Sequence, residues 1–244
     1  DLIIHAAGMN ARECDQSPNL AIQFNGEMTE RLALKSASYG CKRFIYLSTV
    51  HVYQSPLLGV FSEESTTLNS HPYATSHLYG EEALIRVAKS SAMTGHVLRL
   101  SNCFGYPLSK KTDCWELALN EFVRDAFRLG KITIKGDFFA RRDFLPISEL
   151  SRILIDILAG TVPIPEIINV STGNSRTLLE AAIQVSDVVL EMTGKSVEIC
   201  KNDLPIHDSS LNIKNNALDK IGIYPAKDLT HEIRLMLEYL KVRT

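Results

Sequence analysis

The stretch Tyr73-Ala74-Thr75-Ser76-His77 sets a phenol and an imidazole four residues apart. On a helix, residues at that spacing share one face. A phenol titrates near ~10 in water, which makes it a poor base at neutral pH. A cation held beside it favours the phenolate and brings it toward the working range. Lysine is the common supplier of that charge. A histidine, with an ordinary value near ~6.5, is charged only in part at pH 7. The pair therefore points to proton transfer through Tyr73, with His77 as an incomplete activator.

The surrounding pattern must position this pair. Residues 72–91 read as a helix whose apolar face holds Leu78, Ala83, Leu84 and Val87. Residues 2–6 form a short apolar run, as expected of a buried parallel strand. Residues 43–48, 95–100, 131–134, 167–170 and 196–200 read as further strands. Helical patterns cover 18–39, 115–129, 147–158, 178–193 and 229–242. Pro18 suits a first helical turn, and Gly40 is placed to end the helix before it. Strands alternating with helices imply an α/β fold, a doubly wound parallel sheet with helices on both faces. Beyond about residue 131 the pattern is less regular, which suits a smaller C-terminal lobe built on that sheet.

Bulk composition removes several function classes. The chain has 244 residues, a formal net charge of -2, 45% apolar and 22% charged residues. That is ordinary for a soluble globular protein. The charge balance lacks the basic excess of a nucleic-acid binder. No apolar run approaches the roughly 18 residues of a membrane span. Five widely spaced cysteines with no Cys-x-x-Cys read as reduced thiols of a cytoplasmic protein. The seven histidines form no His-x-x-x-His pair, so no metal site is expected.

Further candidates lie at predicted strand ends, where open α/β sheets bind ligands. His5-Ala6-Ala7-Gly8 would let a ligand approach the backbone closely, although a tight turn explains it as well. Ser48 and Thr49 end the second strand; they either bind a ligand or cap the turn. Arg99-Leu-Ser101-Asn102-Cys-Phe-Gly105 ends another strand. Arg141-Arg142-Asp143 carries two guanidinium groups, suited to phosphate or to an exposed ion pair. Asn25, mid-helix with Thr29 four residues on, suits either a ligand or the helix itself.

In their order and spacing these pieces resemble the extended short-chain dehydrogenase/reductase family, the NAD-dependent epimerase/dehydratase group that acts on nucleotide sugars. The resemblance covers nearly the whole chain. His5-Ala6-Ala7-Gly8 is similar to its fourth-strand motif, and Asn25 with Thr29 to its Asn-x-x-Gly-Thr helix, Met28 replacing the glycine. Thr49 and Tyr73 match its catalytic hydroxyl pair. Asn102, Arg142-Asp143-Phe144 and Asn169-Val170-Ser171-Thr172-Gly173 match later segments.

The resemblance implies a Rossmann-like dinucleotide-binding part over 1–130. It implies a substrate lobe over 131–244, with sheet elements returning in 147–170. It implies Tyr73 and Thr49 as proton-transfer groups with His77 beside them, and NAD or NADP as cofactor, NAD favoured. Ala6, Ala7, Gly8, Asn25, Ser48, Tyr73, His77 and Ser101 would line the cofactor. Thr49, Asn102 and Arg142 would hold a nucleotide sugar, and two chains would pair as a homodimer. Thr49 is followed by Val50 and His51 rather than the acids of the dehydratase branch, so epimerisation or ketone reduction is expected over loss of water. The family's Gly-rich turn and first strands are not in this sequence, roughly 60 residues, as in a fragment of a longer protein. With His77 in the lysine's place, the alternative is a catalytically weak relative that binds NAD or a nucleotide sugar without turnover.

Overall fold

The computed structural model describes residues 1–109, 112, 114–160, 162–200 and 210–242. The chain forms two compact units. The first comprises residues 1–101, 160–170 and 214–224; the second comprises 102–159, 171–213 and 225–244.

The first unit is built on a four-stranded parallel sheet. Its strands β1 (Leu2–His5), β2 (Arg43–Thr49), β3 (Thr94–Leu100) and β4 (Ile167–Val170) lie side by side in that order. Alternation along β2 sends Phe44, Tyr46 and Ser48 to one face and Ile45 and Leu47 to the other. On the first face Phe44, Tyr46, Val97, Ala33, Leu84 and Val87 form the core. That core is closed by α3 (Met28–Ser38) and α4 (Pro72–Lys89). Ahead of α3 the chain runs through α1 (Ala11–Gln16), α2 (Pro18–Ala21) and a π-helical segment, Ile22–Glu27. Segments of this kind are rare and often mark functional positions.

Two local readings of this unit require correction. Within this sequence β1 is the outermost strand of the sheet, and Leu2 and Ile4 are each 40% exposed rather than buried. A continuous apolar run looks the same whether both faces are covered or one. Helix α1 went unread, although Asn10 and Glu13 form a capping box, each side chain bonding the other's backbone N–H at 2.9 Å.

The second unit packs helices Ala118–Leu129, Leu178–Thr193 and Thr230–Val242 around Phe122, Val123, Val185, Ile233, Met236 and Leu237. Two of these helices stop at glycines in the left-handed region, Gly130 (φ 63°) and Gly194 (φ 70°). Three two-stranded ladders accompany them, among them Asn102–Phe104 beside Phe144–Pro146. The division falls after Ser101 rather than near residue 130, because Ala118–Leu129 packs on the other helices of this unit. Of the expected returning stretch 147–170, Ile167–Val170 rejoin the sheet, while 147–159 group with the second unit.

Candidate functional site

The ends of β1 and β2 and the first turns of α4 carry most of the candidate residues of the first unit. After His5 the chain leaves the sheet through Ala6, Ala7 and Gly8, all exposed. This loop is pinned from below by Asn25, which is fully buried in the π-helical segment. Asn25 Oδ1 accepts the Met9 N–H at 2.7 Å, and Asn25 Nδ2 donates to Ser76 Oγ on α4 at 3.0 Å. A Cβ at Gly8 would lie 3.3 Å from Asn25 Oδ1 and 3.7 Å from His77 Cε1. The Asn25 side chain thus shapes the loop from inside and is not itself at its surface.

Tyr73 and His77 share the face of α4 that meets this loop. Pro72 opens the helix, and His71 Nδ1 caps it by accepting the Tyr73 N–H at 3.1 Å. Tyr73 is half-buried. Its ring meets the His77 imidazole edge-on, centroids 4.6 Å apart. Behind them the rings continue: His77 stacks on Tyr46 at 5.9 Å, and Tyr46 on His5 at 5.4 Å. Tyr46 Oη bonds His77 Nδ1 at 2.8 Å. Burial pulls the His77 imidazole down from 6.5 to about 4, with a smaller push from His5. His77 is therefore neutral at pH 7, not partly charged as its ordinary value implied. Sequence spacing shows that two residues share a face; it does not show how dry that face is.

Gly80, one turn further along α4, explains the close approach of the two helical layers. A Cβ there would stand 2.7 Å from the Asn25 carbonyl oxygen and 3.1 Å from the Tyr46 ring. Those distances leave no room for a side chain.

Ser48 and Thr49 point to opposite faces of β2. The Ser48 hydroxyl is buried and donates to Glu81. Glu81 also receives Arg99 through both carboxylate oxygens, at 2.6 and 3.1 Å. The Arg99 guanidinium lies over the Tyr53 ring at 5.0 Å, and Tyr53 Oη donates to Asn169 Oδ1 at 2.6 Å. Burial opposes the Arg99 charge, but the Glu81 carboxylate holds it above its usual range. This buried ion pair ties α4 to β3 beneath the site. Thr49 Oγ1 accepts the His51 N–H at 3.1 Å and caps the turn Val50–Val52. Among the described residues its own proton has no acceptor. Ser101 N–H donates to the Val170 carbonyl at the end of β3.

Asn102 and Arg142 belong to the second unit. Asn102 donates to the Asp143 carbonyl through both its backbone N–H and Nδ2, each at 3.0 Å. Arg142 Nη1 donates to the Arg141 carbonyl, and among the described residues no carboxylate pairs with it. Arg141 meets the ion-pair alternative, its Nη1 standing 3.7 Å from Glu180. Asp143 accepts from Thr172 N–H, Thr172 Oγ1–H and Asn174 N–H at 2.8–3.2 Å, bracing the turn 171–174.

Sequence reading did not single out Tyr46, or the bonding role of Thr29 beneath it. The signal was weak: a Tyr two residues before Ser48, on the helix-facing side of a strand. The five cysteines are free, and among the described residues no three His, Cys, Asp or Glu converge as a metal site. Among them, too, no helix is long and apolar enough to cross a membrane.

Residues 1–171 match the family model described as the NAD dependent epimerase/dehydratase family. The chain is 24% identical to a mouse dTDP-D-glucose 4,6-dehydratase, over 99% of this chain and 68% of that one. It is 28% identical to a dTDP-6-deoxy-L-talose 4-dehydrogenase (NAD(P)(+)) of Kitasatospora kifunensis, over 79% of this chain and 61% of that one. It thus spans about two thirds of the length of these relatives. In fold it matches the UDP-glucose 4-epimerase of Thermotoga maritima, solved with UDP-glucose, with a TM-score of 0.83 at 21% identity. That match covers 99% of this chain and 77% of the other. The matched region holds Tyr73, Thr49, Asn25 and the Ala6–Gly8 loop, and the chain belongs to the NAD dependent epimerase/dehydratase family.

Proposed function

We propose that the protein is an NAD-dependent enzyme acting at a hydroxyl or carbonyl carbon of a nucleotide sugar, with Tyr73 and Thr49 handling the proton. One observation carries this reading: Gly8, His77 and Tyr73 adjoin in sequence of contact at the open end of a parallel sheet. The residues present suit the nicotinamide end of the cofactor, because the exposed Ala6–Gly8 backbone leaves space that any larger side chain would occupy. When bound, the nicotinamide supplies or takes the hydride.

The chain's own residues do the rest. Tyr73 Oη holds the proton exchanged with the sugar oxygen, and Thr49 Oγ1–H donates to the same oxygen and orients it. With His77 neutral, no charge on α4 favours the phenolate, so Tyr73 is better placed to give a proton than to take one. That favours reduction of a keto sugar. The absence of an acid after Thr49 disfavours loss of water. The guanidinium of Arg142, in no ion pair among the described residues though the Asp137 charge favours it, suits the substrate diphosphate, with Asn102 bonded to the carbonyl of the adjacent Asp143. The relatives named for dTDP sugars support a nucleotide sugar as the substrate class.

The exposed row Leu20, Phe24, Met28 and Leu32, at every fourth position of the 18–38 helical stretch, supports pairing of two chains through that face. A monomer in sedimentation at micromolar concentration would remove that part of the reading.

The neutral His77 also favours a second reading, a binder of NAD or nucleotide sugar with little turnover. The test is turnover of NADH with a panel of nucleotide 4-keto sugars, using full-length protein. Turnover lost in Tyr73→Phe, with NADH binding retained, is the expected outcome. Binding without turnover in the wild type selects the second reading; turnover unchanged in Tyr73→Phe refutes the proton role.

A further inference from the structure

The two hydroxyls of the proposed reaction come from different elements, Thr49 from the end of β2 and Tyr73 from the first turn of α4. A long connection joins those elements, and its last residues come back beside the turn that follows Thr49. Leu68 N–H donates to the Tyr53 carbonyl at 2.6 Å, and Asn69 N–H to the Val52 carbonyl at 3.4 Å.

The half-buried Asn69 side chain joins the two ends. Its Nδ2 donates to the His51 carbonyl at 2.7 Å, and its Oδ1 accepts the His71 N–H at 3.0 Å. A backbone carbonyl only accepts and a backbone N–H only donates, so the amide has one orientation. Each bond leads on to one of the two hydroxyl residues. His51 N–H donates to Thr49 Oγ1 at 3.1 Å. His71 Nδ1 accepts the Tyr73 N–H at 3.1 Å, and the His71 carbonyl accepts the Thr75 N–H at 3.0 Å. A single amide thus stands between the turn capped by Thr49 and the helix start that carries Tyr73. The task needs a donor and an acceptor on one short side chain, which asparagine supplies and aspartate, serine and leucine do not.

We propose that Asn69 is a positioning residue: it straps the turn Val50–Val52 to the start of α4 and thereby sets the spacing of Thr49 Oγ1 and Tyr73 Oη. This rests on the reaction proposed above, in which both hydroxyls meet one sugar oxygen. A small displacement of groups that act together costs rate.

The test uses full-length protein. Asn69→Asp keeps the side-chain shape and the bond to His71 N–H, since either residue makes that turn, but it has no proton for the His51 carbonyl. Asn69→Ser, which is neutral, keeps a weaker form of the same turn and also loses the strap, so an effect shared by both variants is not an effect of charge. In both, kcat with NADH and the panel of nucleotide 4-keto sugars falls roughly three- to tenfold, while KM and NADH affinity by calorimetry stay at the wild-type values. In a Thr49→Val background neither substitution lowers turnover further, because the strap acts through that hydroxyl. Amide hydrogen exchange quickens in Asn69→Asp at residues 51–53 and is unchanged at Tyr73 and Thr75, whose cap is kept. Unchanged kcat in both variants overturns the proposal, as does an equal loss in the Thr49→Val background or a change confined to KM. Absence of turnover in the wild type overturns the reaction reading, and this role with it, even where the exchange pattern is the expected one.

Discussion

His77→Lys tests the electrostatics of the site directly. The burial that takes His77 from 6.5 to about 4 disfavours a buried cation by the same physics whichever base carries it. A lysine starts near ~10.5. An equal penalty leaves it near about 8, still mostly protonated at neutral pH. The substitution thus converts a neutral neighbour into a charged one. The rings of Tyr73 and His77 lie 4.6 Å apart. At about 5 Å and an effective dielectric of about 20, a unit charge is worth roughly 3 kcal/mol to a phenolate. That corresponds to about a hundredfold more phenolate at a given pH. Screening at the half-open rim reduces the gain, to about tenfold if it removes half of that energy. The assay is ultraviolet difference titration of His77→Lys against His77→Lys/Tyr73→Phe, with the wild type and Tyr73→Phe as the reference pair. A Tyr73 titration at the same pH in both pairs would refute the claim that α4 lacks an activating charge. Alcohol oxidation, which needs Tyr73 as a base, should gain more than ketone reduction.

Two further outcomes follow from buried charge. Glu81→Gln leaves Arg99, with a side chain only 5% exposed, without its carboxylate; the expected loss is about 3–5 kcal/mol of unfolding free energy in urea, and a loss under about 1 kcal/mol would show that the pair is not structural. His77 binds its proton near 6.5 when unfolded and near 4 when folded, so the unfolded chain holds more protons between those values. Stability is full above pH 6.5 and declines as the pH falls toward 4, by about 1 kcal/mol between pH 7 and 5.5 from His77 alone. His5 and His96, also lowered by burial, act in the same direction. The decline should be shallower in His77→Gln by thermal melts, and an equal slope would contradict a buried neutral imidazole.

Much of the fold is legible from local pattern. Helix 178–193 reads correctly at both ends because Thr177 and Glu180 cap its start and Gly194 its end, all signals confined to one segment. Strand β4 reads correctly because four apolar-rich residues stand between turns. Of the short ladders of the second unit, 131–133 with 198–200 reads as two strands, but 141–142 with 176–177 and 102–104 with 144–146 do not, since strands of two or three residues owe their existence to a distant partner.

The candidate site divides in the same way. Sequence by itself determined that Tyr73 and His77 share a helix face, that hydroxyls end β2, and that the family's motifs occur in order. Those are matters of residue type and spacing. Only the tertiary structure decided that His77 is dry and neutral, that Asn25 supports the Ala6–Gly8 loop from within, and that Asp143 braces the turn 171–174. It also brought Tyr46, Thr29 and His5 into one hydrogen-bonded row from three separate elements. Protonation and hydrogen-bond direction depend on burial and on partners far along the chain, and neither is written in the spacing of neighbours.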